Sequence, residues 1–129
     1  MSDNKGFSIE SRIKSFKYAF YGIVLLVRTQ HNARIHALAT LVVCAAGFYF
    51  GITKTEWCFI VFAISIVWTA EALNTALEFM GDAVSPDPNE LIGKAKDISA
   101  AGVLIASIAA AVVGIIVFGP YVLEFVKPK

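Results

Sequence analysis

Residues 98–118 run for 21 positions without a charge, and Ser99 and Ser107 are their only polar side chains. About 20 such residues in a helix cross a hydrocarbon core of about 30 Å. Lipid offers the backbone no hydrogen-bond partner, so a crossing segment must bond to itself as a helix. Two more stretches have the same character. Residues 35–52 are 18 positions in which His36 and Thr40 are the few polar side chains. Residues 57–80 are uncharged and mostly apolar through Ala70, then carry Glu71, Asn74 and Glu78. Composition agrees: 57% of the chain is hydrophobic and 16% is charged, against roughly 25% charged in soluble proteins. The pattern predicts an all-α membrane protein, one membrane domain over residues 1–129, with three transmembrane helices.

Ahead of the spans, residues 9–30 read as an amphipathic surface helix. Ile9, Ile13, Phe16, Phe20 and Val27 recur three, four or seven apart and make one apolar stripe. Arg12, Lys14 and Lys17 sit beside it, as in helices that lie in the headgroup region. Gly51, Thr53, Lys54, Thr55 and Glu56 predict a tight turn between the first two spans, with Trp57 as an interfacial anchor. Pro86, Pro88 and Gly93 predict a loop over residues 83–93, and Gly119-Pro120 is expected to end or kink the third span. No secretory signal is expected at the charged N-terminus. Cys44 and Cys58 lie in or beside apolar runs and read as reduced, buried thiols.

Orientation follows from Lys and Arg. Lys5, Arg12, Lys14, Lys17, Arg28 and Arg34 precede the first span, and Lys94 and Lys96 lie between the second and third. Only Lys54, Lys127 and Lys129 fall on the other side. The N-terminus and the 83–93 loop are therefore expected in the cytoplasm, and the C-terminus outside.

The chemistry gathers in the second span. Glu71, Asn74, Glu78 and Asp82 are spaced 3, 4 and 4, which puts them on one narrow helix face. A carboxylate in a span costs about 2.5–3.5 kcal/mol on insertion scales, so an aligned set needs a metal, a cation or water. Functional residues and a helix-joining network, with Arg28, Arg34 or Lys96 as partners, both fit that spacing. Lys94, Lys96 and Asp97 precede the third span, where an expected helix N-terminus would bind a phosphate; topogenic lysines with Asp97 as an N-cap are the other reading. The segment from Arg28 to His36 adds polar groups at the entrance of the first span. The donors are oxygens rather than thiols or clustered imidazoles, which suits Mg²⁺. Carboxylates, a hard cation and a Lys together fit phosphoryl transfer. There is no Walker A motif and no GxGxxG.

Residues 71–82, EALNTALEFMGD, resemble the signature E-x-x-N-[ST]-A-[IL]-E-x-x-x-D of the bacterial diacylglycerol kinase/undecaprenol kinase family. Residues 93–104, GKAKDISAAGVL, are similar to that family's A-K-D-x-[AGS]-[AS]-A-[AG]-V-L. Asn32 and His36 resemble the N-x-x-x-H form of its undecaprenol-kinase-like members. The resemblance spans residues from about 9 to 118. It implies an ATP- and Mg²⁺-dependent lipid kinase of the bacterial inner membrane, a homotrimer with active sites shared between subunits. By motif, Glu71 matches the general base and Glu78 a metal-binding carboxylate. Tyr18, Asn74, Lys96 and Asp97 match nucleotide-facing positions, and Asp82 is grouped with them. Arg34 and His36 match the lipid side. Gln30 stands where many members have an acid that shares the metal, so one negative charge is missing there. Pro88-Asn89 replace the Tyr-His of some members.

Undecaprenol is the first expected substrate and diacylglycerol the second, with no nucleic-acid partner. The alternative is a non-enzymatic membrane protein conducting ions or protons through the same acids. That function needs acids spread over the membrane depth, whereas these cluster in one half beside Lys96.

Overall fold

The computed structural model describes residues 8–127; Lys5 and Lys129, used above for orientation, lie outside them. The described residues form four helices: α1 (Ile9–Thr29), α2 (His31–Phe50), α3 (Lys54–Val84) and α4 (Glu90–Val126). The last three are long and apolar enough to cross a membrane.

Only Leu26 of α1 is buried, and Ile9, Ile13, Phe16 and Phe20 leave their stripe uncovered by protein. That is the condition for a helix that seats its apolar side in lipid. A single non-helical residue, Gln30, separates α1 from α2, with φ −102° and ψ 125°. Arg34 braces this elbow: Nε donates to the Val27 carbonyl at 3.1 Å and Nη2 to the Arg28 carbonyl at 2.6 Å. These are last-turn carbonyls that α1 itself leaves without partners.

α2 stops at Gly51, whose φ of +62° is the left-handed conformation glycine adopts without strain. Thr53 caps α3, accepting from the Glu56 N–H while Glu56 accepts from the Thr53 N–H at 2.7 Å. This reciprocal cap puts Lys54, Thr55 and Glu56 in the first turn of α3 rather than in the turn before it. Trp57, expected as an interfacial anchor, is half-buried, with its ring across α2. Gly47 permits this, because a Cβ there would stand 2.7 Å from the ring. Ile52, Ile60 and Val117 form a buried core at this end, with Phe50, Trp57, Phe118 and Tyr121 around it.

At the other end the loop is shorter than residues 83–93. It covers only 85–89, and Gly93 is helical. The physical reason is Asn89, whose side chain accepts from the N–H groups of Leu91 and Ile92 and so starts α4 at Glu90, three residues before Gly93. Gly119-Pro120 does not end α4, which continues to Val126. The missing proline N–H costs one bond of the ladder, and packing of Phe118 and Tyr121 into the core carries the helix through it.

Candidate active site

Among the described residues, Glu71, Asn74 and Thr75 are the buried polar ones, and all three lie in the middle of α3. Glu71 is 1% exposed. Successive α3 turns stack Glu71, Asn74 and Glu78, and Asn74 Nδ2 donates to Glu78 Oε1 at 3.1 Å. From α4, Ser99 Oγ donates to Asn74 Oδ1 at 2.6 Å. The amide is thereby held from both sides, which fixes the rotamer beside Glu78. From α2, His36 approaches Glu71, with Nε2 3.8 Å from Oε2. That gap is too long for a hydrogen bond, and both atoms are buried without a partner. A buried carboxylate oxygen and imidazole nitrogen left in this state are costly unless a further polar group joins them.

These residues face an open cleft of about 280 Å³, lined by Asn32, Ile35 and His36 of α2, Glu71, Asn74 and Glu78 of α3, and Ser107 of α4 among others. One turn toward the loop, Lys96 of α4 is ion-paired to Asp82 of α3. Its side chain lies across Gly81, where a Cβ would come 2.8 Å from Lys96 Cε. Asp82 and Lys96 line a second, shallower depression with the 85–89 loop.

The structure thus brings together Glu71, Asn74, Glu78 and His36, and sets Asp82 and Lys96 at the mouth. It does not bring Gln30, Tyr18, Arg34 or Asp97 into the cleft lining. Tyr18 is 71% exposed on α1, Arg34 is committed to the elbow, and Asp97 is exposed on α4. The expected helix N-terminus at Lys94–Asp97 is absent, because Asn89 starts α4 earlier. Asp97 is therefore not an N-cap, and no free N–H groups join Lys96 in facing an anion. Ser99 and Thr75 were not singled out as site residues from sequence. Ser99 carries a signal, as one of two polar residues in an apolar run, and Thr75 carries one as the Ser/Thr position of the signature over residues 71–82.

Among the described residues no three His, Cys, Asp or Glu gather as a metal cage. Mg²⁺ does not need one, since it keeps waters and takes one or two carboxylates plus phosphate oxygens. Glu78, half-buried at the cleft, offers oxygen of that kind.

Three apolar spans with a pocket of acids and amides sunk between them define a multi-pass membrane protein whose chemistry acts on a membrane-borne molecule. Comparison with known proteins narrows the class. Residues 17–118 match the family described as prokaryotic diacylglycerol kinase, and the chain belongs to that family. It is similar to the undecaprenol kinase of Bacillus subtilis, 33% identical over 107 residues, covering 83% of this chain and 87% of that protein. It is also similar to the diacylglycerol kinase of Synechocystis, 37% identical over 101 residues, covering 78% of this chain and 58% of that one. The Haemophilus influenzae diacylglycerol kinase is 30% identical over 94 residues, 73% of this chain and 80% of its own length. The chain is a lipid kinase of the bacterial membrane, and as a kinase it uses ATP. Family membership sets aside the ion or proton conductor.

Proposed function

We propose that the chain transfers the γ-phosphoryl group of ATP, with Mg²⁺, to the hydroxyl of undecaprenol in preference to diacylglycerol, and that Glu71 is the general base. The observation that carries this reading is the unpartnered Glu71 Oε2 beside an open cleft between the spans. A lipid hydroxyl entering there meets a carboxylate oxygen with no other hydrogen-bond partner. The alcohol oxygen attacks the γ-phosphorus and its proton passes to Glu71. The bond from the γ-phosphorus to the bridging oxygen breaks, and ADP leaves.

His36 orients the same hydroxyl from across the 3.8 Å gap. Glu78 is the residue to hold Mg²⁺, which when bound offsets the negative charge of the phosphates. Asn74, fixed by Ser99, aligns the phosphate beside it. Lys96, steadied by Asp82, stands at the nucleotide side, with Tyr18 and Asp97 as outer contacts. Arg34 serves the lipid side by holding the elbow, and Gln30 is an outer ligand of the metal. The Bacillus subtilis relative is named undecaprenol kinase, which supports undecaprenol as the substrate here. A cytoplasmic N-terminus, a C-terminus outside and a homotrimer with shared sites complete the reading. The test is phosphoryl transfer from labelled ATP to undecaprenol and diacylglycerol side by side, in wild type and Glu71→Gln. Product from neither lipid in wild type overturns the assignment; product with Glu71→Gln at wild-type rate removes Glu71 as base.

A further inference from the structure

One turn from the open His36–Glu71 contact, the same two helices meet in a closed one. On α3, Trp68 precedes Glu71 by three residues; on α2, Thr40 follows His36 by four. These spacings put each pair on one face of its helix. The Trp68 indole N–H donates to Thr40 Oγ1 at 3.1 Å, and Thr40 donates in turn to the His36 carbonyl at 2.7 Å. Trp68–Thr40 and Glu71–His36 are therefore consecutive rungs between α3 and α2. Among the described residues, the first is the one side-chain hydrogen bond that joins these helices. The second stands open at 3.8 Å.

Thr40 has an unusual place among the helical hydroxyls. Ser15, Thr29 and Ser65 each bond back to the carbonyl four residues earlier in their own helix. Thr40 does the same and also accepts from a neighbouring helix. A continuous line of bonds thus runs from α3 to the backbone of His36 itself. A carboxylate and an imidazolium free to meet close to about 2.7–2.9 Å, the length of a charge-assisted hydrogen bond. His36 and Glu71 stop about 1 Å short of that. The half-buried indole stands between the helices at the neighbouring rung, and the bond at its tip fixes how near they come.

We infer that the Trp68–Thr40 bond is a strut that keeps His36 and Glu71 from closing on each other and so reserves the space between them for the hydroxyl of the lipid alcohol. Trp68 and Thr40 are positioning residues, since neither touches the reacting atoms. The inference rests on the reading of Glu71 as base and adds what keeps that base free. An oxygen about 2.8 Å from both atoms sits at the apex of a triangle whose base is the 3.8 Å gap. There Glu71 Oε2 takes the hydroxyl proton while His36 Nε2 faces the attacking oxygen. A closed pair ties the carboxylate oxygen to the imidazole and leaves the alcohol no acceptor.

The experiment uses full-length protein in detergent micelles. Trp68→Phe removes the N–H and keeps a ring; Thr40→Val removes the hydroxyl and keeps the shape. Each is expected to lower kcat for undecaprenol by between about 10- and 100-fold, the larger figure being the scale of a 1 Å misplacement at a reacting pair. KM for ATP stays at the wild-type value. The double variant falls no further than either single one, because both break one bond. Thr40→Ser keeps the hydroxyl and rescues the loss. In a His36→Ala background Trp68→Phe brings no further loss, since no imidazole is left to close on Glu71. Equal loss with and without His36, or additive losses in the double variant, overturns the inference. The chain has two histidines, so a His31→Gln background isolates the imidazole nitrogen resonances of His36. Trp68→Phe shifts them toward those of an imidazole bonded to a carboxylate, and unchanged resonances overturn the strut. A wild-type protein that phosphorylates neither lipid fails the kinase reading, and the resonances still decide the strut.

Discussion

The two ends of the helical bundle solve opposite problems. At the turn between α2 and α3, Glu56 Oε2 accepts from the Thr53 N–H, the Thr53 hydroxyl and the Tyr121 hydroxyl, which ties the start of α3 to α4. Ile52, Ile60 and Val117 are buried beneath that knot. Toward the other end, His36 of α2 and Glu71 and Thr75 of α3 each keep a buried polar atom without a partner. One end is closed and satisfied; the other is open and unsatisfied. Groups left in this state destabilise the fold, and they persist where a ligand completes them. The contrast teaches that the closed end provides the rigidity against which the open end can hold its groups ready.

Four changes test that contrast. The largest effect is expected from Glu71→Gln at the open end. A general base contributes about 10²–10⁴-fold, so turnover should fall by that order while the melting temperature in detergent holds or rises, since a buried unpaired charge is gone. A melting temperature that falls along with turnover would erase the distinction between the ends. Next comes Gly47→Ala at the closed end, where the new Cβ drives into the Trp57 ring. Overpacking of this kind costs about 1–3 kcal/mol, read as a lower melting temperature with kcat kept close to wild type for the fraction still folded.

Gly81→Ala sharpens the boundary between the regions. Its Cβ meets the flexible end of Lys96 at 2.8 Å and Ile92 Cγ2 at 3.0 Å, so Lys96 swings aside and Ile92 gives by a few tenths of an ångström, a smaller strain on the fold than the clash with a ring. KM for ATP should rise by about 10-fold, the lower end of the scale for one hydrogen bond to a charged group. An unchanged KM would mean that Lys96 serves only to pair with Asp82. The smallest effect is expected from Gln30→Glu. An added carboxylate near the metal should lower the Mg²⁺ concentration for half-maximal rate, with a slight loss of stability without metal from repulsion by Glu78. A Mg²⁺ titration that does not move would put Gln30 outside the metal's reach, in keeping with its absence from the cleft lining.

Much of this was legible in the residues. Apolar length gave the spans, because lipid leaves a crossing chain no choice but helix. Spacing of 3 and 4 gave the Glu71, Asn74 and Glu78 face, because helical periodicity is local. Helix ends were read less well. Gly93 and Gly119-Pro120 look like breaks when taken alone, yet a cap at Asn89 and packing around Tyr121 decide otherwise. Those are tertiary and capping effects that outweigh the intrinsic cost of one Gly or Pro. Lys96 was expected beside a helix N-terminus for the same reason, and the earlier start of α4 removes that support. The Ser99–Asn74 bond joins residues 25 positions apart, a distance that no local pattern reports.

The elbow at Gln30 has a mechanical consequence. One residue supplies the only soft torsions between α1 and α2, and Arg34 pins the carbonyls on its near side. α1, at 21 residues, is a lever roughly 30 Å long. Tilt of the first span, the ordinary response of a helix to a bilayer thicker or thinner than itself, is passed through a nearly rigid joint into this lever. A tilt of about 10° moves its free tip by about 5 Å, on the scale of the headgroup layer in which such helices sit. The fulcrum lies six residues from His36. Membrane thickness and surface-helix depth are therefore two readings of one angle, taken at opposite ends of the same beam.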